Sequence, residues 1–239
     1  MVFDAASILD DIDAATGQLL ATAAGLGDAD VRQPSRLPDW SRGHVLTHLA
    51  RNADGGRRLL GWARTGVEDR EYPSPEARAA EIEAGSGRSA AELLDDLRAS
   101  ADRFAAEYRR MPSAAWEVTV RWTRGQEHPA ARIADSRLTE VLLHHVDLDA
   151  GFGCGQWPPD FVRDLLGRFA VVHRTRADAP AVRLLATDTG ERHDLASGDP
   201  QAPTVAGPQA DLLGWLTGRS DGAGLDLSGA AALPRPPAL

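Results

Sequence analysis

Apolar residues recur at helical spacing through the first half of the chain. Residues 4–25 show this spacing up to a pair of glycines, which predicts one long helix. Further helices are predicted over four segments, at about 41–64, 74–84, 89–111 and 130–149. Ser41 is an acceptable N-cap for the first of these. Four long helices with one longer crossover predict a bundle.

Alternation replaces helical spacing in parts of the remaining chain. The segment WEVTVRW at 116–122 predicts a brief extended stretch, and GFGCGQWPP at 151–159 is typical of a linker. Beyond it, helices at about 159–176 and 208–217 alternate with short strand-like runs, at 181–187, 203–208 and 225–229. The sequence therefore predicts a mainly α protein, with a four-helix bundle over 1–152 and a small α+β domain over 153–239.

Composition narrows the functional classes. The net charge of −9 argues against a nucleic-acid partner, because phosphate binding needs clustered positive charge. No apolar run approaches the roughly 20 residues needed to span a bilayer. The N-terminal segment has acids where a signal peptide would carry basic residues. We therefore expect a cytoplasmic protein without a membrane partner. We separately expect a monomer. All 26 basic residues are Arg, which indicates a high-GC genome.

Cys154 is the one cysteine of the chain. A single cysteine excludes an intramolecular disulfide and any Cys-rich zinc site. If a thiol takes part in the chemistry, it comes either from Cys154 or from a small molecule.

Histidines mark two of the predicted helices. Glu140 and His144 are four residues apart, so their side chains share one helix face. On the second helix, His44 and His48 are spaced in the same way, and the neighbouring leucines indicate that His48 points into the bundle. Helices of a bundle can bring such side chains together around a metal. Two imidazoles and one carboxylate suit Zn²⁺ and leave its fourth position open, as in catalytic zinc sites.

Simpler interpretations remain open at this point. Most helical histidines are surface or satisfied core residues, and Glu140 and His144 can equally form an exposed ion pair on a metal-free bundle. His145 points about 100° away from His144, so the two cannot comfortably serve one ion. We prefer His144 because of its spacing from Glu140, but a ligand set that includes His44 or His145 remains possible.

Four segments resemble the mycothiol-dependent maleylpyruvate isomerases, a family of the DinB-like metalloenzyme superfamily. They are LPDWSRGHVLTHLARNADG (37–55), YPSPEAR (72–78), TEVLLHHVDLDAG (139–151) and TGRSDGAG (217–224), so the resemblance covers nearly the whole chain. It implies a DinB-like bundle with zinc ligands at His48, Glu140 and His144. It also places two arginines used by the isomerase at Arg78 and Arg219, where they would hold carboxylates or the cofactor.

The resemblance further implies a reaction, part of aromatic catabolism. Zinc and mycothiol are the cofactors, and the zinc-bound thiolate adds to the double bond of maleylpyruvate and leaves again after rotation, giving fumarylpyruvate. The partners are then a small-molecule substrate and a low-molecular-weight thiol. Asn52 is at most a support for the ligands, and Cys154 matches no functional position. The alternatives are a mycothiol S-transferase, with the same metal site, and a non-catalytic metal-binding module.

Overall fold

The structure is a computed structural model that describes residues 3–176, 178–196, 198–199 and 201–236. The chain divides into two compact units, Met1–Phe152 and Gly153–Leu239.

The described part of the N-terminal unit contains six α-helices and one hairpin. The helices are α1 (Ala5–Ala24), α2 (Asp28–Val31), α3 (Arg42–Thr65), α4 (Pro75–Ser86), α5 (Ala90–Tyr108) and α6 (Ala131–Asp147). A 3-10 turn (Ser113–Glu117) leads into strands β1 (Thr119–Arg121) and β2 (Glu127–Pro129), which pair antiparallel. Helices α1, α3, α5 and α6 form the bundle, and α4 packs against α3.

Local side-chain caps explain where three of these helices begin. The hydroxyl oxygens of Ser41, Ser74 and Ser89 each accept a hydrogen bond from a backbone N–H in the first turn of α3, α4 and α5. Such caps satisfy donors that a helix start leaves unpaired. The core between the helices is apolar, and its fully buried side chains include Leu19, Leu46, Leu97, Phe104 and Leu142.

A long side chain and a glycine fix how the start of α3 meets its neighbours. Arg42 Nε donates to the backbone oxygen of Leu148, 2.7 Å away, just after α6. Gly43 lies so close to α4 that a Cβ atom there would be 2.3 Å from the backbone oxygen of Ser86. The start of α3 therefore lies beside the end of α6 and against the end of α4.

The C-terminal unit combines two helices with one sheet in its described residues. After a 3-10 turn (Cys154–Gln156) come α7 (Pro159–Arg174), β3 (Arg183–Ala186), β4 (Arg192–Asp194), β5 (Thr204–Gly207), α8 (Gln209–Leu216) and β6 (Asp226–Ser228). The strand order is β4-β3-β5-β6, with β3 parallel to β5 and the other pairs antiparallel. Helix α8 contacts β3, β5 and α7.

The mainly α fold with a small α+β unit confirms the class predicted from sequence. Within it, the extended stretch predicted at 116–122 is shorter than expected. Trp116 and Glu117 belong to the 3-10 turn, and only Thr119–Arg121 form a strand. The 151–159 segment, predicted as a linker, includes a 3-10 turn. No helix among the described residues is both long enough and apolar enough to cross a membrane.

Candidate functional site

Two helices of the bundle bring a carboxylate between two imidazoles. His48 Nε2 of α3 lies 2.8 Å from Glu140 Oε2 of α6, and His144 Nε2 lies 3.3 Å from the same oxygen. The two imidazole rings are edge to face, with centroids 4.6 Å apart. One ligand-type atom from each residue lies within 4.8 Å of the others. We refer to these three residues as the His–Glu–His cluster.

The second ring nitrogen of His144 has a carboxylate partner. His144 Nδ1 lies 2.8 Å from Oδ2 of Asp147, which is buried one turn further along α6. A metal-ligating histidine typically donates its other ring N–H to a carboxylate in this way. Once His144 is neutral, this hydrogen bond keeps the ring proton on Nδ1 and leaves the Nε2 lone pair directed at the cluster, which is the orientation that a metal ligand requires.

The second ring nitrogen of His48 has a different partner. Arg78 Nη2 of α4 lies 3.0 Å from His48 Nδ1. A guanidinium group only donates hydrogen bonds, so Nδ1 accepts and the ring proton of neutral His48 lies on Nε2, facing Glu140. Burial lowers the pKa of His48 to about 4, against the opposing effect of Glu140, and the ring is neutral at pH 7.

The other two members of the cluster are charged at neutral pH. Burial by itself would raise the pKa of Glu140, but its hydrogen bonds to His144 and His48 hold that pKa well below the usual range. Burial likewise disfavours the charged form of His144, but Asp147 and Glu140 outweigh it and raise its pKa to about 9. A metal ion at the cluster therefore competes with a proton at His144.

The donor set fits zinc. Two imidazole nitrogens and one carboxylate oxygen are the ligands of many catalytic zinc sites, which keep one position for water or substrate. The separation of the three groups and the support of His144 by Asp147 agree with such a site. The described residues contain one cluster of this kind, formed by His48, Glu140 and His144.

The neighbouring histidines have other partners. His44 Nδ1 contacts the N-cap residue Ser41, 2.8 Å from its hydroxyl, and His44 Nε2 lies 3.2 Å from Glu83. His145 Nε2 lies 2.8 Å from the hydroxyl of Thr22 on α1, and burial lowers the pKa of His145 to about 4. Neither residue belongs to the cluster, so the geometry favours the ligand set preferred from sequence spacing.

A buried arginine, which sequence reasoning missed, connects the two cluster helices. Arg137 lies one turn before Glu140 and is only 2% exposed. Its Nη1 donates to the backbone oxygen of Leu49 and to Asn52 Oδ1, both at 2.8 Å, and its Cζ lies 5.9 Å from the centre of the Phe104 ring. Asn52 thus supports α6 through Arg137. Arg137 is four residues after the buried Ile133, so the two side chains share one face of α6. This spacing could have identified Arg137 as a buried residue from the sequence.

A cavity lies beside the cluster in the sense that Arg78, which contacts His48, also lines it. The cavity has a volume of about 560 Å³ and lies between α4, the β1–β2 hairpin and the first half of α6. Its lining includes Tyr72, Arg78, Trp122, Arg124, His128 and Arg132. This volume is in the range of small-molecule sites. Sequence reasoning predicted Arg78 but none of the hairpin residues.

Arg219 and Cys154 belong to the C-terminal unit. Arg219 follows α8, and its Nη1 donates to the backbone oxygen of Thr217, 3.0 Å away. Cys154 opens the 3-10 turn and packs against Gly214 of α8, where an added Cβ would lie 2.8 Å from the cysteine sulfur. The role predicted for Arg219 remains a prediction.

The fold and the site together define a class: mainly α proteins of two units whose helical bundle carries a His–Glu–His cluster that could hold a metal ion. Comparisons with known proteins identify the family within this class. The profile described as "Mycothiol maleylpyruvate isomerase N-terminal domain" matches residues 12–149, and "MDMPI C-terminal domain" matches 156–236. The chain belongs to the mycothiol maleylpyruvate isomerase family, a family of enzymes, as predicted from sequence.

Two solved structures are similar over nearly the whole chain. One is the crystal structure of the mycothiol-dependent maleylpyruvate isomerase, with 28% identity and a TM-score of 0.92, covering 99% of this chain and 97% of that one. The other is a variant of such an enzyme with one histidine replaced by alanine, with 27% identity, a TM-score of 0.91 and the same coverage. No curated protein sequence matches the chain.

Proposed function

We propose that this protein is a mycothiol-dependent maleylpyruvate isomerase that holds Zn²⁺ with His48, Glu140 and His144. One observation carries the metal site: three ligand-type atoms from two helices lie within 4.8 Å of one another. Family membership over both units and the similarity to solved isomerases support the reaction.

Held at His48, Glu140 and His144, the zinc ion and its bound mycothiol would supply a thiolate nucleophile for the cis–trans isomerisation of the substrate double bond. The residues of the chain prepare this chemistry. Glu140 brings a negative charge to the cluster, and Asp147 holds the proton of His144 on Nδ1. The buried Arg137 fixes α6 against α3, so the two helices keep their ligands in register.

Arg78 is suited to bind a substrate carboxylate. When His48 Nε2 serves as a ligand, the ring proton moves to Nδ1, and Nδ1 no longer accepts a hydrogen bond from Arg78. The guanidinium then becomes available to an anion next to the cluster. Maleylpyruvate carries two carboxylates, and guanidinium groups bind carboxylates bidentately. We propose the same class of partner for Arg219, on the family resemblance alone.

The test supplies maleylpyruvate to the zinc-loaded protein with a catalytic amount of mycothiol and follows the absorbance of substrate and product. We expect many turnovers per thiol. Consumption of one thiol per substrate would instead identify an S-transferase, and no turnover would contradict the isomerase proposal.

Two variants of α3 test the metal site. His48→Ala removes a proposed ligand, so bound zinc and activity should both be lost. His44→Ala, one turn earlier on the same helix, removes a histidine outside the cluster and should retain stoichiometric zinc. Metal analysis of the two purified proteins provides the measurement. Stoichiometric zinc in both variants would exclude His48 as a ligand. Absence of zinc from the unmodified protein would instead favour a metal-free bundle, and bound zinc without turnover a non-catalytic metal-binding module.

A further inference from the structure

The cavity beside the cluster concentrates positive charge in an acidic protein. The chain has 35 acidic and 26 basic residues, yet the cavity is lined by Arg78, Arg124 and Arg132 and by one carboxylate, Glu71. Three guanidinium groups facing one acid make this cavity a place for an anion.

The carboxylate of Glu71 accepts hydrogen bonds from the β1–β2 hairpin. Its Oε2 accepts hydrogen bonds from the backbone N–H of Thr123, at 3.2 Å, and from the Thr123 hydroxyl, at 2.7 Å. The cavity's one acid therefore fixes the turn between β1 and β2 to the segment before α4. The guanidinium groups of Arg124 and Arg132 line the same cavity.

The hairpin turn presents Arg124 to the cavity. Gly125, with a φ of 86°, donates its N–H to the backbone oxygen of Trp122 at 2.8 Å, and this closes the turn around Arg124. Positive φ values favour glycine, which explains its presence at the tip. The position of Arg124 is thus set by a tight turn and by the Glu71 contact to the residue before it.

Arg132 faces the same cavity from the first turn of α6. Its Nη1 donates to Asp135 Oδ2 at 2.8 Å, in a pair that is 46% and 34% exposed at the two side chains. A guanidinium has five N–H donors, so this pair leaves donors for a ligand. Surface pairs of this kind are also weak, so an incoming carboxylate can compete with Asp135.

We propose that Arg124 and Arg132 form a carboxylate subsite that binds the far end of a dicarboxylate ligand, whose near end lies at Arg78 beside the cluster. This inference rests on the proposed function. It assigns the discrimination between dicarboxylates and monocarboxylates to the β1–β2 hairpin and the start of α6.

A matched pair of variants tests the subsite. Arg124→Gln removes a charge that lines the cavity. Arg121→Gln removes the same charge from the same hairpin, at a residue that pairs with Glu127 and does not line this cavity in the described structure. Both side chains are exposed, and circular dichroism checks that both variants remain folded. Any effect of net charge is common to the two variants.

Isothermal titration of the zinc-loaded protein with succinate and butyrate gives the readout. Neither ligand has a double bond, so binding is measured without turnover. The unmodified protein should bind succinate more tightly than butyrate. Arg124→Gln should weaken succinate binding by about tenfold and leave butyrate unchanged, because one charge-assisted contact is lost. Arg121→Gln should stay within about twofold of the unmodified protein for both ligands.

In the titrations, two outcomes would overturn the subsite: no preference for succinate in the unmodified protein, or equal losses in the two variants. Turnover of maleylpyruvate tests the isomerase proposal independently of these titrations. Absence of turnover with an Arg124-dependent preference for succinate would reject the isomerase and keep the subsite. Turnover of maleylpyruvate with an unchanged KM in Arg124→Gln would reject the subsite and keep the isomerase.

Discussion

At the scale of single residues, the two tyrosines of the chain are both buried but differ in their hydrogen bonding. The Tyr108 hydroxyl donates to the backbone oxygen of Ala5 at 2.9 Å. The Tyr72 hydroxyl has no partner among the described residues, and the guanidinium groups of Arg58 and Arg78 each lie 5.8 Å from its ring centre. Tyr72 therefore stabilises the fold through packing of its ring and through cation–π contact.

This contrast predicts different costs for the same substitution. Tyr108→Phe loses a hydrogen bond and should lower the free energy of unfolding by about 1 kcal/mol. Tyr72→Phe removes a buried hydroxyl without a partner, so the free energy of unfolding should stay the same or rise, because the cost of burying that hydroxyl is removed. Urea denaturation of the metal-free variants measures both. A larger loss in Tyr72→Phe than in Tyr108→Phe would contradict this interpretation.

At the proposed zinc site, the protonation of His144 should make zinc binding depend on pH. Its pKa of about 9 in the metal-free protein means that zinc must displace a proton at any lower pH. Zinc affinity should therefore rise with pH, by about tenfold per unit between pH 6 and 8, and level off above the pKa of His144. Competition with a chromophoric chelator at several pH values measures the slope.

Asp147 provides the control for this pH dependence. Asp147→Asn removes one of the two partners that raise the pKa of His144, so the rise in zinc affinity should level off at a lower pH. A flat profile in the unmodified protein, or an identical profile in Asp147→Asn, would show that the proton on His144 does not control binding.

Sequence could predict only part of the site at this scale. Glu140 and His144 are four apart on one helix, so their proximity follows from helix geometry. The approach of His48 to Glu140 depends on how α3 packs against α6, so spacing offered it as one of several interpretations and the resemblance implied it. The contact of Arg78 with His48 joins α4 to α3, and no local spacing encodes it. Asp147, three residues after His144, was within reach of the same spacing argument.

At the scale of elements, two glycines of α3 have contrasting surroundings. A Cβ at Gly43 would lie 2.3 Å from the backbone oxygen of Ser86, while at Gly61 the nearest atom, a carboxylate oxygen of Glu107, lies 3.8 Å away. A backbone atom at the end of α4 cannot easily move aside. Gly43 therefore sets the distance between α3 and α4, the helix that carries Arg78.

Alanine at these two positions should act in opposite directions. Gly43→Ala should destabilise the protein by about 2 kcal/mol or more, because α4 must shift away from α3. Gly61→Ala, in the helix interior, should stabilise it by up to about 1 kcal/mol. Thermal unfolding followed by circular dichroism compares them. Equal effects would mean that α4 adapts without cost.

Helix boundaries were the best-predicted part of the fold. The starts near Ser41, Ser74 and Ser89 depend on a local cap, and the structure places them at those serines. Strand β2 was missed because all three of its residues are exposed, so it has no alternation of apolar and polar positions. Strand β4, with the sequence RHD, was missed for lack of the same signal.

At the scale of the whole molecule, the family resemblance spanned both units, and the profile matches over 12–149 and 156–236 confirm it. The net charge only argued against a nucleic-acid partner, because it averages over the whole surface and does not reveal local charge. The chain is acidic as a whole, yet the cavity beside the cluster collects arginines from α4, the hairpin and α6. Local charge of this kind arises from the fold and is not readable from composition.

The exposed hairpin also affects which substitutions the protein can accept near the cavity. Trp122, Arg124, Gln126 and His128 line the cavity from a segment outside the buried core, and Glu71 anchors that segment through Thr123. The cluster instead depends on buried contacts between α3 and α6. Under the proposed subsite, substitutions in the hairpin should therefore change ligand preference without disturbing the His–Glu–His cluster, which makes this short segment the natural target for a randomised library.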